Sequence, residues 1–319
     1  MIGIVSVTLR LAIYKSTPQK ERRTMEIKSF LHEDTETYTH VLIDTGNKVC
    51  AIIDPVLDYD FKSGHTSTKS AEQVVQFINQ QQLNAAYIIE THAHADHLSA
   101  AQYLKQQLGA QLVIGKPITE VQKIFKHVFN LDMGFKTDAS QFDKLTEEGT
   151  QFMLGDIELT VMHVPGHTPA DMAYIAKNTA DTTQPLAIFV GDTLFAPDVG
   201  TARVDFPGGD VDALYESIQK ILALPEDTVI YLCHDYPPQD RTHSPVTTVG
   251  AQKAHNIHVH QGISQAQFAK MRTERDATLQ MPRLIIPSVQ VNIQAGHLPE
   301  PEDNGVRYLK VPLNLLGQS

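Results

Sequence analysis

The stretch "THAHADHLSA", residues 91–100, places His92, His94, Asp96 and His97 within six residues. Imidazole nitrogens and carboxylate oxygens are donors that zinc and divalent iron take from proteins. The stretch follows "AAYIIE" (85–90), an apolar run of strand length. The donors therefore leave the C-terminal end of a buried strand. His92 and His94, two residues apart, are expected to point the same way. Asp96 and His97 are expected to open a helix continuing through "LSAAQYLKQQLGA" (98–110), where a carboxylate also favours the positive end of the helix dipole. A solvated loop is the bland alternative, and the spacing of four donors is too specific for it.

Working outward, "THVLIDT" (39–45) and "VCAIIDP" (49–55) read as a hairpin, and "STKSAEQVVQFINQQQL" (67–83) as an amphipathic helix. Gly109 is the expected C-cap of helix 98–110, and "QLVIG" (111–115) a further strand. Strands alternating with helices give an α/β layer. Strands are read again at 157–167, 171–177, 185–195 and 228–236, with a helix over 210–224 capped by Asp210. Residues 250–281 read as helical, and the Pro-rich but apolar tail is expected to pack on the body.

Further donors recur where strands end. His167 lies in "HVPGHT" (163–168), Asp192 in "GDTLF" (191–195) and His234 in "CHDY" (233–236). Each is weak alone: one loop histidine, one Gly-Asp turn, one His-Asp pair. Several strands delivering polar groups to one edge is how α/β sheets build sites, so their joint occurrence carries the argument for convergence. The other histidines match no defensible ligand spacing. His243, His255, His258 and His260 are read as surface, capping or core-edge groups, and His32, His40, His65, His127 and His297 as non-ligands. His163 is expected to pack behind the ligands. Cys233 is expected to turn away from His234 by strand alternation, as a buried structural thiol.

Composition limits the remaining readings. The 319 residues carry 26 basic and 37 acidic side chains, a net charge of −11. That balance, without basic runs, argues against a nucleic-acid partner. No apolar run approaches a membrane span. Two distant cysteines, Cys50 and Cys233, offer no CxxC pair and fit a reducing, cytoplasmic setting. Residues 1–24 begin apolar and turn basic, the reverse of a secretory signal. They are expected to be a poorly ordered extension of the kind a start-site artefact gives, with a mitochondrial-type presequence as the alternative. The catalytic domain is expected over 25–250, with 251–319 packed on it.

"THAHADH", "PGHT", "GDTL" and "CHD" together resemble the metallo-β-lactamase fold superfamily. The resemblance implies an αββα sandwich of two mixed sheets, with the metal site at one edge between them. In relatives with two metals it implies a first site of His92, His94, His167 and a bridging Asp192. The second site is then Asp96, His97, His234 and the same Asp192. "GTARVDF" (200–206) and the tail resemble more closely the bacterial persulfide dioxygenase branch. That likeness implies one Fe(II) per chain on His92, His167 and Asp192, the catalytic set, with Asp96, His97 and His234 as hydrogen-bonding neighbours. It implies glutathione persulfide and O2 as reactants, and sulfite and glutathione as products. Two imidazoles and a carboxylate with open positions suit a non-haem iron oxygenase.

Arg203 is the first candidate for holding the anionic substrate, with Asp205 bracing it. A loop-organising ion pair is the equal alternative. Tyr236 and Arg241 are expected to line the cleft. The intact second set keeps open a dinuclear zinc hydrolase of glyoxalase II type, acting on glutathione thiolesters with one or two zinc ions. A non-enzymatic sulfide-responsive role fits a full ligand set poorly. No sulfurtransferase domain is expected within the chain, because no cysteine sits where its nucleophile would. A separate sulfurtransferase and a homodimer through the tail are left open.

Overall fold

The computed structural model describes residues 24–238 and 241–316. The expected N-terminal extension lies outside the described residues except for Thr24. Strands β1 (Met25–His32), β2 (Thr37–Asp44) and β3 (Val49–Ile53) form an antiparallel meander. A small hairpin of β4 (Val56–Asp60) and β5 (His65–Ser67) precedes helix α1 (Lys69–Gln80). Strand β6 (Asn84–Ile89) then returns parallel to β3. Beyond the donor stretch come β7 (Leu98–Ser99), α2 (Ala101–Leu108), β8 (Gln111–Gly115), α3 (Ile118–Val128) and β9 (Lys144–Thr146). The first sheet runs β1-β2-β3-β6-β8-β9.

The second half supplies β10 (Gln151–Leu154), β11 (Ile157–His163), β12 (Met172–Asn178) and β13 (Ala187–Phe189). Helix α4 (Val211–Leu222) crosses to β14 (Val229–Tyr231), parallel to β13, and β15 (Val246–Thr248) closes that edge. The second sheet therefore runs in sequence order from β10 to β15. Helices α5 (Val249–His255), α6 (Gln265–Asp276) and α7 (Ile285–Asn292) follow.

Strand alternation sorts the apolar side chains into layers. Leu42, Ile53, Ile89 and Val113 face Leu159, Val161, Tyr174 and Phe189 between the two sheets. Their neighbours Val41, Ile52, Ile88 and Leu112 face the opposite way, onto Val74 and Ile78 of α1, Leu104 of α2 and Phe125 of α3. On the second sheet Ile188 and Ile230 face Leu214 and Ile218 of α4 and Phe268 of α6. Helix, sheet, sheet, helix is the αββα arrangement. Burying each such aliphatic or aromatic side chain contributes about 1.5–3 kcal/mol. Ile285 and Val289 of α7 join the first helical layer, so the first part of the tail enters the same core, while Val306, Tyr308, Val311, Leu313 and Leu315 beyond it are exposed.

Local signals hold in several places. Asp210 accepts from Asp212 N and Ala213 N, capping α4. Gly109 adopts φ 71° at the end of α2. Several boundaries differ from the sequence reading, and the strands read over 157–167 and 228–236 are only Ile157–His163 and Val229–Tyr231. The helix expected from Asp96 starts at Ala101, because Leu98 and Ser99 pair with Leu57 and Val56 of β4. The strand read over 185–195 is only Ala187–Phe189, since Gly191 (φ 52°) turns the chain at the site. The tail holds a helix, α7, that its prolines masked. No described helix is long and apolar enough to cross a membrane.

Candidate metal centre

Every donor sits just beyond the C-terminal end of a strand. His92 to His97 follow β6, His167 follows β11, Asp192 follows β13 and His234 follows β14. Two glycines make this possible. A Cβ on Gly166 (φ 142°) would lie 2.3 Å from the Leu214 backbone, and one on Gly191 would lie 2.8 Å from Thr91 Oγ1. The sequence therefore lets the loops of the second sheet press against α4 and the donor loop of the first.

The donors form two adjoining groups. The donor atoms of His92, His167 and Asp192 lie within 4.8 Å of one another, as do those of His94, Asp96, His97 and His234. Asp192 stands between the groups. Its Oδ2 is 3.7 Å from His92 Nε2 and 3.5 Å from His167 Nε2, while its Oδ1 is 3.3 Å from His234 Nε2. His234 Nε2 also lies 2.7 Å from Asp96 Oδ2.

The hydrogen bonds test whether these residues suit a metal. His92 Nε2, His94 Nδ1 and His97 Nε2 are buried without a hydrogen-bond partner, while His234 Nε2 and Asp192 Oδ1 have only their ion-pair neighbours. The far nitrogen of each ring is engaged. His92 Nδ1 lies 3.0 Å from Thr91 Oγ1, and His94 Nε2 3.0 Å from Asp54 Oδ1. His97 Nδ1 lies 3.3 Å from Asp96 Oδ1, and His234 Nδ1 3.1 Å from Thr37 Oγ1. His167 Nδ1 donates to the carbonyl of Arg203 at 2.8 Å. An orphaned buried polar atom costs about 1–3 kcal/mol. Three such nitrogens converging on one region, each ring held from behind, is the pattern of metal ligands with oriented partners. The residues fit one or two divalent ions.

Charge is tuned to the same end at two of the four rings, His92 and His97, whereas His94 and His234 beside their carboxylates are pushed the other way. Burial pushes His97 down to about 4, with the neighbouring His94 adding to the effect, and burial also lowers His92. Neutral imidazole is the metal-ligating form. Burial opposes charge on Asp96 and His234, and their mutual attraction overrides it. Asp96 is held well below the usual carboxylate range and His234 well above the usual imidazole value.

The remaining expected residues divide. Tyr236 and Arg203 line a cavity of about 390 Å³ that reaches Asp96, His167 and Asp192. Tyr236 stacks on His234 with ring centroids 5.6 Å apart. Arg203 is braced by Asp205, its Nε 2.5 Å from Oδ1 and NH2 2.6 Å from Oδ2, and also donates to Gln280 O.

Arg241 corrects the sequence reading. It is absent from the lining of this cavity, because its guanidinium is spent on Asp198 and Asp235 at 2.6–3.0 Å. Cys233 is a second correction. Its donor atom lies within 4.8 Å of those of Asp192 and His234, because β14 ends at Tyr231 and strand alternation no longer governs residue 233. His94, grouped by resemblance with His92 and His167, shares its donor group with Asp96, His97 and His234, held by Asp54 on its far side. His163 donates to Pro169 O at 3.0 Å and so braces the loop before β12.

Several contributors escaped the sequence reading. Asp54 directly follows strand β3 and obeys the same strand-end rule, so that signal was available. Glu90 lies 3.3 Å from His94 Nε2. Arg272, Arg275 and Arg283 of the C-terminal part line the cavity, and nothing local in the sequence brings them there.

The metallo-beta-lactamase superfamily matches residues 37–234, well over half of the chain, and the protein belongs to that superfamily. Among curated relatives, a probable metallo-hydrolase of Burkholderia pseudomallei (strain 1710b) is 49% identical over 294 residues, covering 92% of this chain and 100% of that protein. Glyoxylase B2 of Dictyostelium discoideum is 47% identical, covering 92% of this chain and 98% of its own. The mitochondrial persulfide dioxygenase ETHE1 of Bos taurus is 27% identical over 262 residues, covering 82% of this chain and 84% of its own. The crystal structure of ETHE1 from Myxococcus xanthus matches with a TM-score of 0.66 at 26% identity, covering 86% of this chain and 100% of that one.

Proposed function

We propose that the protein is a persulfide dioxygenase that uses one Fe(II) held by His92, His167 and Asp192. The observation that carries this reading is the position of the "GTARVDF" segment. Its Arg203 carbonyl holds His167 Nδ1, its Phe206 ring lies 5.7 Å from the His167 ring, and Arg203 itself borders the cavity. The segment that resembles the dioxygenase branch is thus built into one of the three donors.

When bound, Fe(II) supplies the electron transfer to O2 that a persulfide alone undergoes slowly. The chain's own part is binding, orientation and proton placement. The cavity admits a peptide-sized thiol, and its four arginines, set among the carboxylates of Asp34, Glu36, Asp96 and Asp192, are the groups that would hold an anionic end of it. Tyr236 Oη lies 3.5 Å from Asp96 Oδ2 and faces the cavity, so it can hold a proton near the reacting sulfur. The balanced reaction takes glutathione persulfide, O2 and water to glutathione and sulfurous acid. The sulfur–sulfur bond breaks and the outer sulfur is oxidised.

A second reading has a specific observation behind it. The unpartnered Nε2 of His97, grouped with the donor atoms of Asp96 and His234, suits a second ion, as in a dinuclear zinc hydrolase of glutathione thiolesters. The names of the metallo-hydrolase and glyoxylase relatives point the same way. Loading the metal-free protein with Fe(II) or Zn(II) under argon, then assaying both reactions, separates the two. The dioxygenase reading expects persulfide-dependent oxygen uptake with iron only. Thiolester hydrolysis with two zinc ions and no oxygen uptake with iron overturns it.

A further inference from the structure

We propose that a buried chain of contacts, Asn292–Ser99–Glu90–His94, makes helix α7 a positioning element of the metal centre. Asn292 is the last residue of α7, and its side chain is used almost entirely on the donor loop. Its Nδ2 donates to His94 O and to His97 O, both at 2.8 Å, and its Oδ1 accepts from Ser99 N at 2.8 Å. Residues 90–97 belong to no strand or helix, so their backbone groups need partners from elsewhere. A single amide from 195–198 residues away supplies two of those bonds and adds a third on Ser99 of β7.

The contacts continue to the imidazole. Ser99 Oγ donates to Glu90 Oε1. Glu90 Oε2 lies 3.3 Å from His94 Nε2, beside Asp54 Oδ1 at 3.0 Å. Asp54 Oδ1 takes that nitrogen's hydrogen bond and Glu90 Oε2 sets a second carboxylate charge beside it without a bond of its own, so the ring is held from behind and Nδ1, which has no hydrogen-bond partner, is left for the centre. Asn292, Ser99, Glu90 and His94 are 5%, 2%, 3% and 0% exposed, so water does not compete for these contacts. The turn after α7 presses on the same loop: a Cβ on Gly296 would lie 3.1 Å from Ser99 O.

The inference rests on the metal reading of the site and not on the choice of reaction. Its test is chelator-competition titration of the metal-free protein with Zn(II), together with the visible spectrum of the Co(II) form. Asn292→Ala and Glu90→Gln should each weaken Zn(II) binding about ten- to a hundred-fold and shift the Co(II) bands.

Gln122→Ala is the matched control. Gln122 is fully buried and also makes three bonds, to Ile293 O (2.9 Å), Gln141 Oε1 (3.0 Å) and Ala139 N (3.0 Å), one of them just past α7 and none on the donor loop. It should lower the melting temperature while leaving Zn(II) affinity unchanged. Wild-type affinity in Asn292→Ala, or an equal loss in Gln122→Ala, overturns the proposal. Should Asn292→Ala fail to fold, Glu90→Gln decides by the same comparison. A wild-type chain that binds no metal overturns both this inference and the metal reading beneath it.

Discussion

Two buried regions treat histidine in opposite ways. On β2, His40 sits among Tyr38, Phe189 and Tyr231, with Nδ1 2.9 Å from Ser29 Oγ and Nε2 donating to Leu232 O at 2.9 Å. Both of its nitrogens are satisfied. In the donor loop His92, His94 and His97 are equally buried, yet each keeps one nitrogen without a partner. Burial therefore does not distinguish a ligand from a packing residue. The orphaned nitrogen does, because a fold does not leave several such atoms pointing at one another without something to bind them.

The contrast is broken most severely at Asp192, which joins the two donor groups. Asp192→Ala should remove bound metal and lower kcat/KM by roughly a thousandfold or more, about 4 kcal/mol of transition-state stabilisation. Metal analysis beside the kinetic assay checks it, and full metal content in the variant would count against the assignment.

The opposite region answers through pH. Burial lowers His40 to about 4 from an ordinary 6.5. The folded state thus binds that proton less readily than the unfolded chain. Its contribution is fully present above about pH 6.5 and is lost as pH falls from 6.5 towards 4, by roughly 3 kcal/mol. Urea titrations across that range check the slope. His40→Gln should flatten it and leave metal content unchanged. An unaltered slope would show that His40 is not the group responsible.

His234→Ala sharpens the comparison within the site. Under the one-iron reading it keeps one metal per chain and slows turnover about ten- to a hundred-fold. Loss of half the bound metal would instead favour the dinuclear hydrolase. The smallest expected effect is at Thr37→Val, which removes the hydroxyl 3.1 Å behind His234 Nδ1. A loss of roughly tenfold or less in activity is expected, with no change in secondary structure by circular dichroism.

Much of this was legible in the sequence, for a physical reason. His92 to His97 are neighbours in the chain, so their spacing is a local signal. His167 and Asp192 each follow a glycine that the turn requires, and the strand-end rule gathers them. Arg241 misled because sequence proximity to His234 says nothing of Asp198, which takes its guanidinium from the other side. Cys233 misled because alternation was carried past the end of β14. The onset of α2 depended on pairing with β4, a contact between segments about 40 residues apart. Asn292 had no signal: an asparagine at the end of an apolar helix becomes meaningful only when the fold sets it under the donor loop.

The central claim is tested most directly by anaerobic purification followed by metal analysis and oxygen uptake with glutathione persulfide in one preparation. The account predicts about one iron per chain, and one O2 consumed and one sulfite released per persulfide. Two tightly bound zinc ions, no oxygen uptake and hydrolysis of S-lactoylglutathione would contradict it.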